Sequence, residues 1–158
     1  MNKHNAGFTL IELLVVIAII SALSALVLPN FMAVREKARD TQRKSDLRQI
    51  KTGLELYKQN QNPPLYPSGI PDGGTCWSSE GFDTACLDSV VYLKSFPSDP
   101  SRLDGSGNHE GYYYLSTDTS YTLCSCLENK VDPGGTDGNC DDSDYICSSG
   151  KKYEVTPD

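Results

Sequence analysis

At 158 residues and a formal net charge of −7, the chain has room for one modest domain plus one extended element, and multi-domain readings drop out. Its mean hydropathy is −0.40 although Phe8 to Leu28 is almost wholly apolar. The chain beyond Leu28 is therefore strongly polar, and the apolarity sits at one end.

The first element is a short polar leader, residues 1–7, carrying Lys3 and His4 and ending at a Gly7-Phe8 junction. The apolar run behind it is long enough to cross a hydrocarbon core, which needs about 20 helical residues. A secretory signal peptide carries its cleavage site after the apolar region, behind small residues. Here the order is reversed, so a cut between Gly7 and Phe8 leaves the hydrophobic segment on the mature chain. Glu12 is the single carboxylate in that run. In an arbitrary membrane helix it reads as a tolerated polar group reaching for the interface. Cleavage, however, gives Phe8 a new α-ammonium. Opposite charges about 4 Å apart are worth on the order of 4 kcal/mol at an effective dielectric of 20, before desolvation is subtracted. A carboxylate one helical turn away neutralises that ammonium, in the same chain or in a neighbour displaced along an assembly axis.

Gly7-Phe8-Thr9-Leu10-Ile11-Glu12 followed by LLVVIAII resembles the processing and methylation signature of type IV pilins and of the related pseudopilins of type II secretion. Pro29 also sits where many members of that family have a proline. The resemblance covers about the first 60 residues. It implies cleavage after Gly7, N-methylation of Phe8 by a prepilin peptidase/N-methyltransferase, and polymerisation with copies of itself. In the filament so implied, Glu12 of an incoming subunit meets the methylated amine of Phe8 in its neighbour and sets the axial register.

Orientation draws on two rules that conflict. Arg35, Lys37, Arg39, Arg43 and Lys44 come after the span and only Lys3 precedes it, which by charge counting puts the wrong end inside. The processing signature requires the leader to face the cytoplasm, and the cysteines beyond the span agree, so the reading is a head outside the cytoplasmic membrane.

From Pro29 to about Asn60 the spacing predicts a continued helix: Val27, Phe31, Val34 and Ala38 recur at helical intervals, as do Leu47, Ile50, Leu54 and Tyr57. Pro29 predicts a kink near Ser24 to Asn30. Asn62-Pro63-Pro64 ends the helix. Beyond it, Glu110 to Glu128 holds two β-rich runs split by Thr117-Asp118-Thr119-Ser120, which read as an antiparallel hairpin. Further short strands are expected near Asp144 to Cys147 and near Lys152 to Val155. In the triplet Tyr112, Tyr113 and Tyr114, the middle ring faces away from its neighbours, as ordinary sheet packing requires. The fold class is α+β: a long N-terminal helix packed on a small antiparallel sheet. The expected divisions are a leader at 1–7, a transmembrane and assembly helix at 8–28, an amphipathic stem at 29–61 and a disulfide-rich head at 62–158.

Residues 35 to 58 carry eight Lys or Arg against four acids, and residues 59 to 158 carry five against sixteen. A basic stem under an acidic head suits stacking between subunits, and the head lacks the clustered cations that nucleic acid needs. All six cysteines, Cys76, Cys86, Cys124, Cys126, Cys140 and Cys147, lie beyond the span. An even count in an exported domain argues for disulfides, with fifteen full pairings open. Cys124 and Cys126 project the same way from one strand and are poorly placed to bond each other. A nested arrangement with Cys140 and Cys147 leaves Cys76 with Cys86. A zinc site is the alternative, without a Cys-x-x-Cys pair to support it.

Asp132 to Asp144 is the one candidate ligand segment. Asp142 replaces the glycine of an EF-hand loop and Ser148 its bidentate glutamate, so that motif is rejected. Gly134-Gly135 and Asp144 loosely echo the calcium loop of major secretion pseudopilins. On that resemblance calcium would be held by Asp137, Asn139, Asp141 and Asp144; the competing reading is a solvated turn held by Cys140. No phosphate cradle, Ser/His/Asp set or metal-binding His pair points to an enzyme. The sequence reads as a subunit of a type IV pilus-like filament, with a secretion pseudopilin as the alternative and a membrane-anchored calcium-dependent adhesin as the alternative of another class. Its expected partners are other copies, the processing enzyme, an inner-membrane assembly platform and membrane lipid.

Overall fold

The computed structural model of the chain describes residues 8–71, 73–79, 81–83, 86, 90–101, 111–140 and 145–157, with the side chains of 27–30 and 83 left aside. The leader, Gly7 included, lies outside the described residues, and the kink expected around Pro29 falls on side chains that do too. Helix α1 spans Leu10–Asn60. The chain divides into two compact units, Met1–Arg35 and Glu36–Asp158.

In the first unit the helix has no covering layer. Its large apolar side chains, from Phe8 through Val34, are between 45% and 82% exposed among the described residues. A helix apolar on every side is stable only when lipid or other apolar helices cover it. No single unbroken helix among the described residues is long and apolar enough to cross a membrane; Leu10–Leu26 and Phe31–Asn60 meet that measure taken together.

In the second unit the helix meets a core. Leu47, Ile50 and Leu54 recur every three to four residues and are fully buried. Asn62-Pro63-Pro64 comes just past the helix end, where proline supplies no N–H for the ladder. Two antiparallel sheets supply the opposing side chains. Strands β1 (Cys76–Ser78), β2 (Gly81–Asp83) and β3 (Val91–Leu93) form one in the order β2-β1-β3. Strands β4 (Tyr113–Ser116), β5 (Tyr121–Cys126), β6 (Thr136–Asp137) and β7 (Lys151–Val155) form the other in the order β4-β5-β7-β6.

The three-stranded sheet has no clear sequence signal, because its strands are three residues each, too short to show an alternation. Aromatic packing holds it. Trp77 of β1 is buried with its ring 5.4 Å from Tyr57 of α1, 5.3 Å from Tyr92 and 6.3 Å from Phe96. Gly53 lets the helix approach: a Cβ there would lie 3.1 Å from Leu93 and 3.3 Å from the Trp77 ring.

The four-stranded sheet contains the expected hairpin, with Tyr113 opposite Cys124 and Ser116 opposite Tyr121. The period-2 alternation sorts its faces. Tyr121 and Leu123 enter the core beside Tyr66 and Tyr112, whereas Tyr113 points outward against Tyr145, at 5.9 Å between rings. The strand expected at Asp144 to Cys147 is absent among the described residues: Tyr145 to Cys147 carry no strand pairing. Instead Tyr145 donates its hydroxyl to the Gly111 carbonyl and Cys147 is bridged to β5, so this stretch lies over the sheet's outer face rather than at its edge.

Leu54→Ala opens a cavity where helix and both sheets meet, and truncating a fully buried Leu costs about 2–5 kcal/mol. Melting of residues 36–158 expressed alone should show a drop of roughly 10 °C, and Leu56→Ala, at an exposed position, should show almost none.

Candidate functional site

Two sites emerge, one in each unit. At the start of α1, Thr9 is the residue before the helix and Glu12 its third helical position. The Thr9 backbone N–H donates to Glu12 Oε2 at 2.8 Å, and the Thr9 hydroxyl donates to the same oxygen at 2.6 Å. The Glu12 N–H in turn reaches Thr9 Oγ1 at 3.3 Å. This is the reciprocal capping box that Thr-x-x-Glu forms at a helix start, satisfying amide groups that have no partner in the helix. Phe8 and Ile11 flank it and are largely exposed. Glu12 therefore has a task in the single chain: it caps α1. Reading Glu12 by its charge alone misses this role, although the Thr-x-x-Glu spacing signals it in the sequence.

In the second unit the decisive group is Arg43. Its guanidinium is 3% exposed and faces three carboxylates. Nε and Nη2 donate to the two oxygens of Asp99 at 2.7 and 2.8 Å, Nη1 donates to Asp40 Oδ1 at 2.7 Å, and Nη2 lies 2.8 Å from Glu128 Oε1. The Asp99 contact is the two-pronged geometry that suits a planar fork. Asp40, fully buried, also accepts the backbone N–H groups of Glu128 and Asn129 at 2.9 and 2.8 Å. Arg39 Nε donates to Glu128 Oε1 at 2.8 Å, and Lys44 pairs with Asp132. One face of α1 thus grips three separate points of the head at 99–101, 128–129 and 132. The opposite charges of stem and head, read from the sequence as suited to contacts between subunits, are in good part matched inside one chain.

The Arg39 hydrogen bond, reinforced by Arg43 and Ser101 against desolvation, lowers the Glu128 carboxyl to about 2. A carboxyl held below its unfolded value of 4.5 contributes stability that is complete above that value and is lost as the pH falls toward about 2.

The six cysteines form three bridges: Cys76–Cys86, Cys124–Cys140 and Cys126–Cys147. The two that tie β5 to the C-terminal loop are crossed, not nested as expected. Strand register is the reason. Cys126 stands opposite Lys152 and Cys124 opposite Glu154, so the β5 position nearer the entrance to β7 is Cys126. Cys147, four residues before Lys151, meets that end first, and Cys140 reaches further along to Cys124. The thiols that a zinc site would use are all engaged in these bonds.

Of the four residues named for calcium, Asp141 and Asp144 lie outside the described residues. Asp137 pairs with Lys151 Nζ at 2.8 Å and is 88% exposed, and Asn139 Oδ1 accepts the Cys147 N–H at 2.9 Å. These two do not fit an ion as they stand: one oxygen faces an ammonium and the other is given to the backbone. Gly135, part of the loose calcium-loop echo, has a local reason. A Cβ there would fall 2.7 Å from Leu127 Cδ1 and 3.3 Å from the Lys152 carbonyl.

The model of the prokaryotic N-terminal methylation motif matches residues 2–28. The type II secretion system core protein G of Pseudomonas aeruginosa is 32% identical over 150 residues, 89% of this chain and 94% of that protein. This chain belongs to the family of type IV pilins and type II secretion pseudopilins. The core protein G of Escherichia coli K12 is 33% identical over 124 residues, 70% of this chain and 79% of that protein. The type IV major pilin PilA of Myxococcus xanthus is 41% identical over 56 residues, 35% of this chain and 26% of that pilin. No solved structure matches. In this member of the family, α1 is capped by Thr9 and Glu12 and uncovered in the first unit, and the Arg43 network fixes the head to its own stem in the second.

Arg43→Met strands Asp40 and Asp99 in the interior without a counter-charge, an arrangement that costs about 3–5 kcal/mol. Residues 36–158 carrying it should melt far below the wild type at pH 7. Glu128→Gln should flatten the fall in melting temperature between pH 4.5 and about 2; an acid limb identical to wild type would remove Glu128 from the linkage.

Proposed function

We propose that the chain is the repeating subunit of a type II secretion pseudopilus. It is made as a precursor, cut after Gly7 and N-methylated on Phe8, and it stands in the cytoplasmic membrane with its head outside. From there it polymerises on an inner-membrane assembly platform through its N-terminal helix. The observation that carries the choice of pseudopilus over surface pilus is how far each likeness runs. The core protein G relative aligns over 150 residues and hence into the disulfide-bonded head, whereas the pilin likeness spans 56. The type IV pilus is the second reading, favoured by the methylation motif that both share.

Deleting the gene separates the two. Loss of protein export with short envelope-confined filaments supports the pseudopilus, and loss of sheared surface fibres containing this chain supports the pilus. Intact mass of the membrane-extracted protein should correspond to a chain beginning at methylated Phe8; one beginning at Met1 would sink both.

The capping box sharpens the role of Glu12. Glutamine fills the same capping position but carries no charge. If Glu12 matches the amine of a neighbouring Phe8, Glu12→Gln should abolish filaments as fully as Glu12→Ala while leaving helix content unchanged. Normal filament numbers from Glu12→Gln would reduce Glu12 to a cap.

The loop from Asp132 to Cys147 we read as a bridge-held turn. Chelator should leave the melting curve of oxidised residues 36–158 unchanged, and reductant should lower stability by about 2–4 kcal/mol per bridge. A chelator-induced fall of several degrees would restore calcium to Asp137, Asn139, Asp141 and Asp144.

A further inference from the structure

Within the second unit a cleft of about 420 Å³ opens between the last turn of α1, the loop at residues 67–70 and the β1-β2 hairpin. That is the size of a small-molecule site. The hairpin register builds its apolar side: Trp77 stands directly opposite Phe82, so both side chains leave one face, with their rings 6.2 Å apart. Trp77 is buried and forms the floor, its ring stacked on that of Tyr57 at 5.4 Å. Tyr57 is half-buried, and Phe82, 52% exposed, stands as the outer wall.

The rest of the lining is small and polar. Ser68 and Ser79 are exposed and offer hydroxyls, while Gly69 and Gly81 add no side chain, and a Cβ built on either would meet nothing within 4 Å. Among the described residues no acidic or basic side chain lines the cleft. The hairpin is also fixed in place: Cys76, beside Trp77, is bridged to Cys86, and the Ser79 N–H donates to the Val90 carbonyl at 3.0 Å. A ligand therefore meets walls that are already ordered, which lowers the cost of binding.

This lining selects among ligand classes. A phosphate or carboxylate finds no counter-charge in it, and the head around it, with five cations against sixteen acids over residues 59–158, repels anions. A wholly apolar ligand would cover the two serines without pairing their hydroxyls. A pyranose suits both halves, because its C–H face can lie against aromatic rings, whose faces carry partial negative charge, while its hydroxyls exchange hydrogen bonds with serine. We propose that this cleft binds a neutral saccharide, with Tyr57 and Phe82 against the C–H face of the sugar ring and Ser68 and Ser79 paired to its hydroxyls. Trp77, the one tryptophan of the chain, then lies beneath the bound ring and reports on it.

The test uses the full chain in a zwitterionic detergent, which has no sugar headgroup to compete, titrated with tri-N-acetylglucosamine and with maltotriose while Trp77 fluorescence is followed. At least one of the two should give a saturable change in emission, half-maximal on the order of 1 mM, as suits a small ligand in an open site. Phe82→Ala should weaken that binding about fivefold and, at an exposed position, hardly move the melting temperature. Should that variant fail to fold, Ser79→Ala decides in its place, with an expected loss of about threefold. No saturable change with either sugar, undiminished affinity in the folded variant, or an equal response to cyclohexanol, a ring of the same size with a single hydroxyl, would overturn the assignment.

Discussion

The buried Arg43 guanidinium is the constraint on which the head depends. Its charge is paired with Asp40 from its own helix, with Asp99 from the loop after the small sheet, and with Glu128 at the exit of β5. Hydrophobic burial of Leu47, Ile50 and Leu54 gives the energy of docking but tolerates sliding, because apolar contacts are non-directional. The fork of Arg43 and the two amides held by Asp40 tolerate none: each demands one register of the head along the stem. Packing and ion pairing thus divide the task, one supplying affinity and the other position.

A subunit that enters a filament gains from such a division. The first unit presents apolar surface on all sides and gives no geometric instruction beyond Glu12, whereas the second is positioned on its own helix by charge-assisted bonds at three places. Within the second unit, Arg43, Lys44 and the core allow little independent movement between the stem residues and the sheets they hold.

Much of this is legible in the sequence, and the parts that are not have particular causes. The helix announces itself through Leu47, Ile50, Leu54 and Tyr57, and the β4-β5 hairpin through its tyrosines and threonines around Thr117 to Ser120. The small sheet stays hidden because three-residue strands have no period to read, and its order comes from Trp77, whose partners are scattered over 40 residues of chain. The Arg43 network is hidden for a like reason: Asp40 and Arg43 are local, but Asp99 and Glu128 are brought in only by the fold. The crossed bridges come from the register of β5 on β7, which no count of cysteines contains. The capping box, by contrast, lies in plain view as Thr9-x-x-Glu12.

The crossed bridges also set how the head bears load. In a chain pulled along its backbone, tension arriving at Cys126 passes through sulfur to Cys147 and bypasses the residues between, a separation of 21 in sequence. At about 3.3 Å or more of contour per residue, roughly 70 Å of extension is withheld from any unfolding head. The edge strand β6 and the loop over the sheet carry none of the force. Cys76–Cys86 withholds a second, shorter stretch in the same way, so under load the head lengthens only through the backbone outside these bridges.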